Sequence, residues 1–151
     1  MTGEEEKKDS FRIYFAGASL AFGLPFLTIE LLALIYGGSE RVMSVFSTLV
    51  VALHLLGGLL GGYSAARIAK GDLVRVGTVT GVLAYIIQQV VYTIFYGWGV
   101  VGDALTMIGL IGGSTVGAAL YKSRVDAYAR IKSRRMKEEN EDGDPAHRPA
   151  H

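Results

Sequence analysis

The sequence has no cysteine, only three prolines and almost no charge across its long middle part. A chain without cysteine forms no disulfide and no cysteine-ligated metal or iron–sulfur site. Between residues 13 and 121 only eight residues are acidic or basic, whereas a soluble domain of this size scatters charge along its whole length. These shortages exclude an ordinary soluble enzyme and a disulfide-built secreted module.

Apolar segments fill the region that lacks charge. A helix needs about 20 apolar residues to cross the core of a bilayer. Four segments meet this requirement, namely residues 11–36, 42–66, 73–96 and 104–121. The links between them are too short for another domain, and the segments lack the alternation of barrel strands. The sequence predicts an all-α, four-helix transmembrane bundle over residues 11–121, with consecutive helices as antiparallel neighbours.

Lysine and arginine indicate the orientation of the bundle, because they are enriched in cytoplasmic loops. Of the 15 basic residues, 14 lie before or at the start of the first span, around the link between the second and third, or after the fourth, and Arg41 is the exception. We therefore expect both termini to face the cytoplasm and the protein to lie in the cell membrane.

Glycine is abundant, with 20 residues, and much of it recurs at intervals of four inside the spans. Lipid tails are as apolar as leucine, so helices in a membrane associate through small residues that let their backbones approach closely. The residues predicted to pack helix against helix are Gly58, Gly61, Gly77, Gly81, Gly109, Gly113 and Gly117. In the first span the same spacing points to Ser19 and Gly23, and Pro25 predicts a kink.

Polar side chains inside the spans form a second pattern, made of Glu30, His54, Gln88 and Gln89. An ionisable residue within a span is a functional hypothesis by default. Counting 1.5 Å per residue, Glu30 and Gln88 lie at similar depths and could bond directly, while His54 lies near the midplane. Two interpretations stay open: a hydrated proton or cation path in which Glu30 and His54 titrate, or neutral groups that only join helices.

Catalytic patterns are missing from the sequence. One histidine outside the tail and one glutamate in the spans do not make a metal site by ligand count, and nothing marks a nucleophile elbow. We expect no metal, no cofactor and no enzymatic activity.

The segment after the fourth span predicts a basic cytoplasmic helix over residues 122–140, with an apolar stripe that includes Val125 and Tyr128. Its candidate contact residues are Lys122, Arg124, Arg130, Lys132, Arg134 and Arg135. Anionic headgroups attract such residues by about 1 kcal/mol per charge near the surface. The segment is either a topology anchor on the lipid or a docking surface for a cytosolic partner, and no motif indicates nucleic acid. Residues 1–10 and 141–151 are predicted to be disordered.

One stretch of the sequence resembles a known type of protein. It comprises the run 57–63 (Gly-Gly-Leu-Leu-Gly-Gly-Tyr), then Arg67, Lys70-Gly71-Asp72, Arg75-Val76-Gly77 and Gly81. This pattern resembles small four-helix prokaryotic membrane proteins, many of them archaeal, of unknown function. The resemblance implies a four-span topology and supplies no substrate or catalytic residue, and it includes neither Glu30 nor the basic tail.

The sequence as a whole favours a non-enzymatic accessory or scaffold subunit, as a homo-oligomer or as part of a membrane complex. The alternative is an oligomeric transporter or channel for protons, cations or small solutes that uses the polar residues of the spans.

Overall fold

The computed structural model contains four helices: α1 (Gly3–Tyr36), α2 (Glu40–Ile68), α3 (Leu73–Tyr96) and α4 (Ala104–Asp142). It describes the backbone of residues 3–36, 40–97 and 104–142, and the side-chain surroundings of residues 11–36, 48–97 and 104–137. Each of the four helices is long and apolar enough to cross a membrane. The predicted all-α, four-helix fold of a multi-pass membrane protein is confirmed.

Two helices extend beyond the predicted spans. Helix α1 begins at Gly3, within the segment expected to be disordered, and α4 continues to Asp142 without interruption. Both extensions are rich in glutamate, lysine and arginine, which are good helix formers, and a helix that already exists lengthens by one hydrogen bond per added residue. The disorder predicted for residues 143–151 lies outside the described residues.

The order of the helices around the bundle is α1, α2, α4, α3. The most extensive contact joins α2 and α4, α1 packs on α2 and α3, and α1 barely touches α4. Helices α2 and α3 therefore meet across the shorter diagonal, so not every consecutive pair lies side by side as the short links suggest. The glycine-bearing faces of α2 and α4 explain this order, because they permit the closest approach of two backbones.

Glycines of α2 and α4 lie directly against each other's backbones. A methyl group added to Gly58 would lie 2.8 Å from the Gly109 carbonyl oxygen, and one on Gly113 would lie 2.5 Å from the Leu55 carbonyl oxygen. Methyl groups on Gly62 and Gly117 would overlap backbone atoms of the opposite helix. No side chain larger than hydrogen fits at these four positions without moving a helix.

The contacts of α3 with α4 and of α1 with α2 also depend on glycines that lie close to the neighbouring helix. On α3, a methyl group at Gly77 would lie 2.5 Å from the Ala118 methyl, and one at Gly81 would lie 2.6 Å from the Ile111 backbone. On α2, a methyl group at Gly61 would lie 2.5 Å from the Gly17 carbonyl oxygen of α1. Small residues therefore bring α3 close to α4 and α1 close to α2.

Helix α1 packs through a different face from the one its spacing suggested. Ser19 is exposed, and a methyl group on Gly23 would meet nothing within 4 Å. The buried face of α1 instead carries Ala18, Ala21 and Phe22. The expectation for Ser19 and Gly23 is wrong. Helices α2 and α3 pack on the face of α1 that carries the small side chains of the buried alanines, and Ser19 and Gly23 lie outside that face.

Candidate functional site

Three polar residues of α3 share one face of that helix. Gln88, Tyr92 and Tyr96 follow one another at intervals of four, which places their side chains one above the next. At 1.5 Å per residue they cover about 12 Å along the helix. This polar face of α3 is the centre of the candidate site, because the other polar residues of the spans contact it.

His54 of α2 contacts the deep end of this face. Its Nδ1 lies 2.7 Å from the Val50 carbonyl oxygen one turn earlier, and its Nε2 lies 3.3 Å from Nε2 of Gln88. Both side chains are completely buried, each with 0% of its surface exposed. Helix α4 covers the histidine from the other side. A methyl group added to Gly109 of α4 would lie 3.3 Å from the His54 Cβ.

Glu30 of α1 contacts the other end of the face. The Tyr96 hydroxyl donates a hydrogen bond to the Glu30 carboxylate. Glu30 is thus bonded to Tyr96 and not to Gln88, the partner that its similar depth allowed. The reason is that His54 occupies the Gln88 amide, while the longer Tyr96 side chain reaches across to α1.

Tyr92 connects the two ends. It lies one helical turn from Gln88 and one turn from Tyr96 on the same face of α3. Its ring packs edge-on against Tyr96 at 5.7 Å and against Phe22 of α1 at 6.1 Å between centroids. Such aromatic pairs contribute about 0.5–1.5 kcal/mol each beyond the area they bury, so the tyrosine is firmly held between α1 and its own helix.

The sequence prediction of the site was incomplete. It singled out Glu30, His54 and the two glutamines and left the hydroxyls of Tyr92 and Tyr96 out, since tyrosines near a span end are typical of the interfacial belt. The interval of four that links both tyrosines to Gln88 could have revealed them. Gln89, the fourth predicted residue, is half-buried and lies about 100° around α3 from Gln88.

Some buried polar atoms of the described residues have no hydrogen-bond partner. They include the Gln88 Oε1, the Thr80 Oγ1 and the Ser114 Oγ. An unpaired polar group costs several kcal/mol where no bulk water reaches it. The Gln88 amide thus contacts His54 through its nitrogen, while its oxygen, a strong hydrogen-bond acceptor, has no partner.

The basic residues of the tail lie apart from this polar site. Every residue described from Lys122 to Lys137 is exposed, including the six predicted contact residues. Arg124 is the one among those six for which a bond to the bundle is recorded, a 3.3 Å hydrogen bond from its Nη1 to the Tyr63 hydroxyl of α2. The rest of the described extension, up to residue 137, is exposed.

Within the ranges that the structure describes, no group of three or more histidine, aspartate or glutamate side chains could hold a metal ion. The arrangement forms hydrogen bonds between α2 and α3 at His54 and between α1 and α3 at Glu30. Comparison with known proteins finds no matching family model, no matching curated protein and no matching solved structure.

Proposed function

We propose that this protein is a non-enzymatic accessory or scaffold subunit of the cell membrane that presents a basic helix to a cytoplasmic partner. The observation that carries the proposal is the extension of α4 from Lys122 to Asp142, which is exposed throughout its described part. It is about 30 Å long at 1.5 Å per residue, and its described part contacts the bundle only near its start.

The surface of this extension is suited to a protein partner. Val125, Tyr128, Ile131 and Met136 are between 44% and 72% exposed. In proteins most of the stability of a helix comes from packing of an apolar face, and these side chains offer such a face to a partner. Between Lys122 and Lys137 there are seven basic residues and one acid, Asp126, so like charges oppose pairing with a second copy and favour an acidic partner.

Lipid headgroups alone do not account for the far half of the extension. Kinks arise almost always at proline, glycine–serine pairs or π-bulges, and residues 118–142 contain neither proline nor glycine. Arg130 therefore lies about 9 Å beyond Arg124 along the axis, and Lys137 about 20 Å beyond it. Attraction to a charged surface fades over a Debye length of about 8 Å, so the headgroups hold mainly Lys122 and Arg124.

A pull-down from native membranes in mild detergent tests this proposal with three forms of the chain. The full chain should retain one partner in fixed ratio, and a chain ending at Arg124 should lose it while keeping a folded bundle. A triple charge reversal of Lys132, Arg134 and Arg135 to Glu should lose the same partner. Retention after truncation, or no fixed-ratio partner on the full chain, would contradict the proposal.

A lipid quenching measurement separates the partner from the membrane as the ligand of the extension. Since the chain has no cysteine, single labels at Ser123→Cys and Ser133→Cys report on one position each. Headgroup quenchers should quench the Ser123 label strongly and the Ser133 label weakly. Equal quenching would mean that the whole extension lies on the bilayer as an anchor.

The polar face of α3 favours a second candidate function, a path for protons or cations through an oligomer. Gln88 at one end of this face contacts His54, Tyr96 at the other end contacts Glu30, and Tyr92 lies between them. Flux into liposomes for wild type and Glu30→Gln tests it, with Glu40→Gln as the matched control for loss of an acid. Flux that falls only with Glu30→Gln supports the path, and absence of wild-type flux under both a pH and a voltage gradient contradicts it.

A further inference from the structure

The hydrogen bonds of His54 fix which of its ring nitrogens carries hydrogen. Nδ1 lies 2.7 Å from the Val50 carbonyl oxygen, an atom that can only accept, so Nδ1 must be protonated. In the neutral ring Nε2 is then an acceptor, and the Gln88 amide nitrogen at 3.3 Å is the matching donor. The pair therefore represents neutral histidine, with the Gln88 Oε1 left without a partner.

We propose that His54 and Gln88 form a two-state proton-binding site in the interior of the bundle. A proton taken from water forms a new N–H bond at Nε2, while Nδ1 keeps its bond to Val50. The Gln88 amide then turns over, so that its Oε1 accepts a hydrogen bond from the new donor. Release of the proton to water reverses both changes.

Glutamine is the residue that suits both states. Its amide offers a donor to the bare Nε2 and, after rotation about its last side-chain bond, an acceptor to the protonated Nε2. The unpaired Oε1 of the state observed is the group that the second state uses. A hydrogen bond from a charged donor is roughly twice as strong as one between neutral groups, so the protonated state gains from the exchange.

The surroundings on every neighbouring helix define the charge balance of this site. Helix α3 contributes Tyr92, one turn beyond Gln88, and Tyr96, one turn further, which donates a hydrogen bond to Glu30 on α1. The α4 residues from Ala104 to Leu120 include no titratable side chain, and Gly109 is the α4 residue found against His54. In the α2 segment described, the charged side chain is Arg67, more than three turns from His54 at the inner end. Glu30 is the acid within the described spans, and it lies at the far end of the polar face, bonded to Tyr96.

This inference goes beyond both candidate functions, because a bound proton need not cross the membrane. Proton uptake replaces the hydrogen bond that Gln88 donates to His54 with one that Gln88 accepts from it. The contact between α2 and α3 would then be sensitive to pH in a scaffold as well as in a transporter. Its test accordingly reads the histidine itself and requires neither a partner nor a flux.

Nitrogen NMR of isotope-labelled histidine in the full chain, in lipid nanodiscs, tests the site. Substituting Gln for the tail residues His147 and His151 leaves His54 as the observed histidine. At neutral pH we expect a protonated Nδ1 and a bare Nε2. On acidification the Nε2 signal should move to that of a protonated nitrogen, together with a change in the Gln88 side-chain amide signal.

Substitutions at Gln88 give opposite shifts. Gln88→Leu removes the acceptor of the charged state, and His54 should then need a higher proton concentration, on the order of tenfold, for half protonation. Gln88→Glu supplies a carboxylate and should lower the concentration needed. Gln89→Leu, which removes the neighbouring amide on another side of α3, should leave the His54 titration unchanged.

Three results would overturn the proposal: a protonated Nε2 with a bare Nδ1 at neutral pH, a His54 signal that does not respond until the bundle unfolds, and equal titrations for wild type, Gln88→Leu and Gln88→Glu. If Gln88→Leu does not fold, the comparison of wild type with Gln88→Glu decides alone, since that pair must still differ.

Discussion

Two adjacent glycines of α4 show what determines the contribution of a single residue to the stability of this bundle. A methyl group on Gly113 would lie 2.5 Å from the Leu55 carbonyl oxygen and 3.1 Å from the Leu59 amide nitrogen. A methyl group on Gly112 would meet nothing within 4 Å. The two positions share sequence context and depth, so they differ only in what the neighbouring helix places against them.

We predict that alanine substitution separates these two glycines. Gly113→Ala should lower the free energy of unfolding by about 1–3 kcal/mol, because the obstacle is a backbone that cannot rotate away. Gly112→Ala should raise it by about 0.5–1 kcal/mol through helix propensity. Unfolding in mixed micelles titrated with a denaturing detergent measures both, and equal effects would mean that α2 and α4 do not touch at Gly113.

The pairings of polar residues were less predictable than their positions. Spacing alone places Gln88 inside the bundle, and its complete burial agrees with that. The same spacing could not choose between Glu30 and His54 as its partner, because that choice depends on helix order and on a few ångströms of side-chain reach. The Tyr96 side chain is long enough to reach Glu30. A depth counted along the helix axis does not give the reach of a side chain.

At the scale of the helix, α3 begins at a well-defined cap. The Asp72 side chain accepts hydrogen bonds from the backbone nitrogens of Val74 at 3.1 Å and Arg75 at 3.4 Å. Gly71, immediately before it, has φ +104°, a conformation that glycine adopts without strain. Together they turn the chain sharply from α2 into α3.

We predict that Asp72→Ala lowers the free energy of unfolding by about 1 kcal/mol, since two amide hydrogens at the start of α3 lose their acceptor. Asp72→Asn is the matched control, because it keeps an oxygen acceptor and should cost a fraction of that amount. Chemical denaturation in detergent measures both variants. An alanine variant as stable as the asparagine variant would show that water replaces the cap at no cost.

The helices themselves were predictable because charge and apolar length define them directly. The predicted third span, 73–96, coincides with α3, whose ends are marked by Asp72 and Gly97. Helix α1 shows the limit of this reasoning. Its buried face could not be identified from Ser19 and Gly23, because small residues permit close packing without specifying which neighbour supplies it.

At the scale of the whole molecule, the distribution of basic residues predicts that both ends face the cytoplasm. An impermeant thiol reagent applied to intact cells should therefore label Ser39→Cys, in the first link, and not Ser133→Cys, in the extension of α4. Labelling should reverse in inside-out vesicles. Labelling of Ser133→Cys in intact cells would invert the topology and move the basic helix to the outside.

Helix α2 carries glycines on two faces, and this has a consequence for how the protein is made. Gly61 serves α1, whereas Gly58 and Gly62 serve α4, and the contact of α2 with α4 is the largest in the bundle. Helix α4 follows α2 and α3 in the chain, so α2 enters the bilayer with the side that carries Gly58 and Gly62 uncovered until α4 has been synthesised.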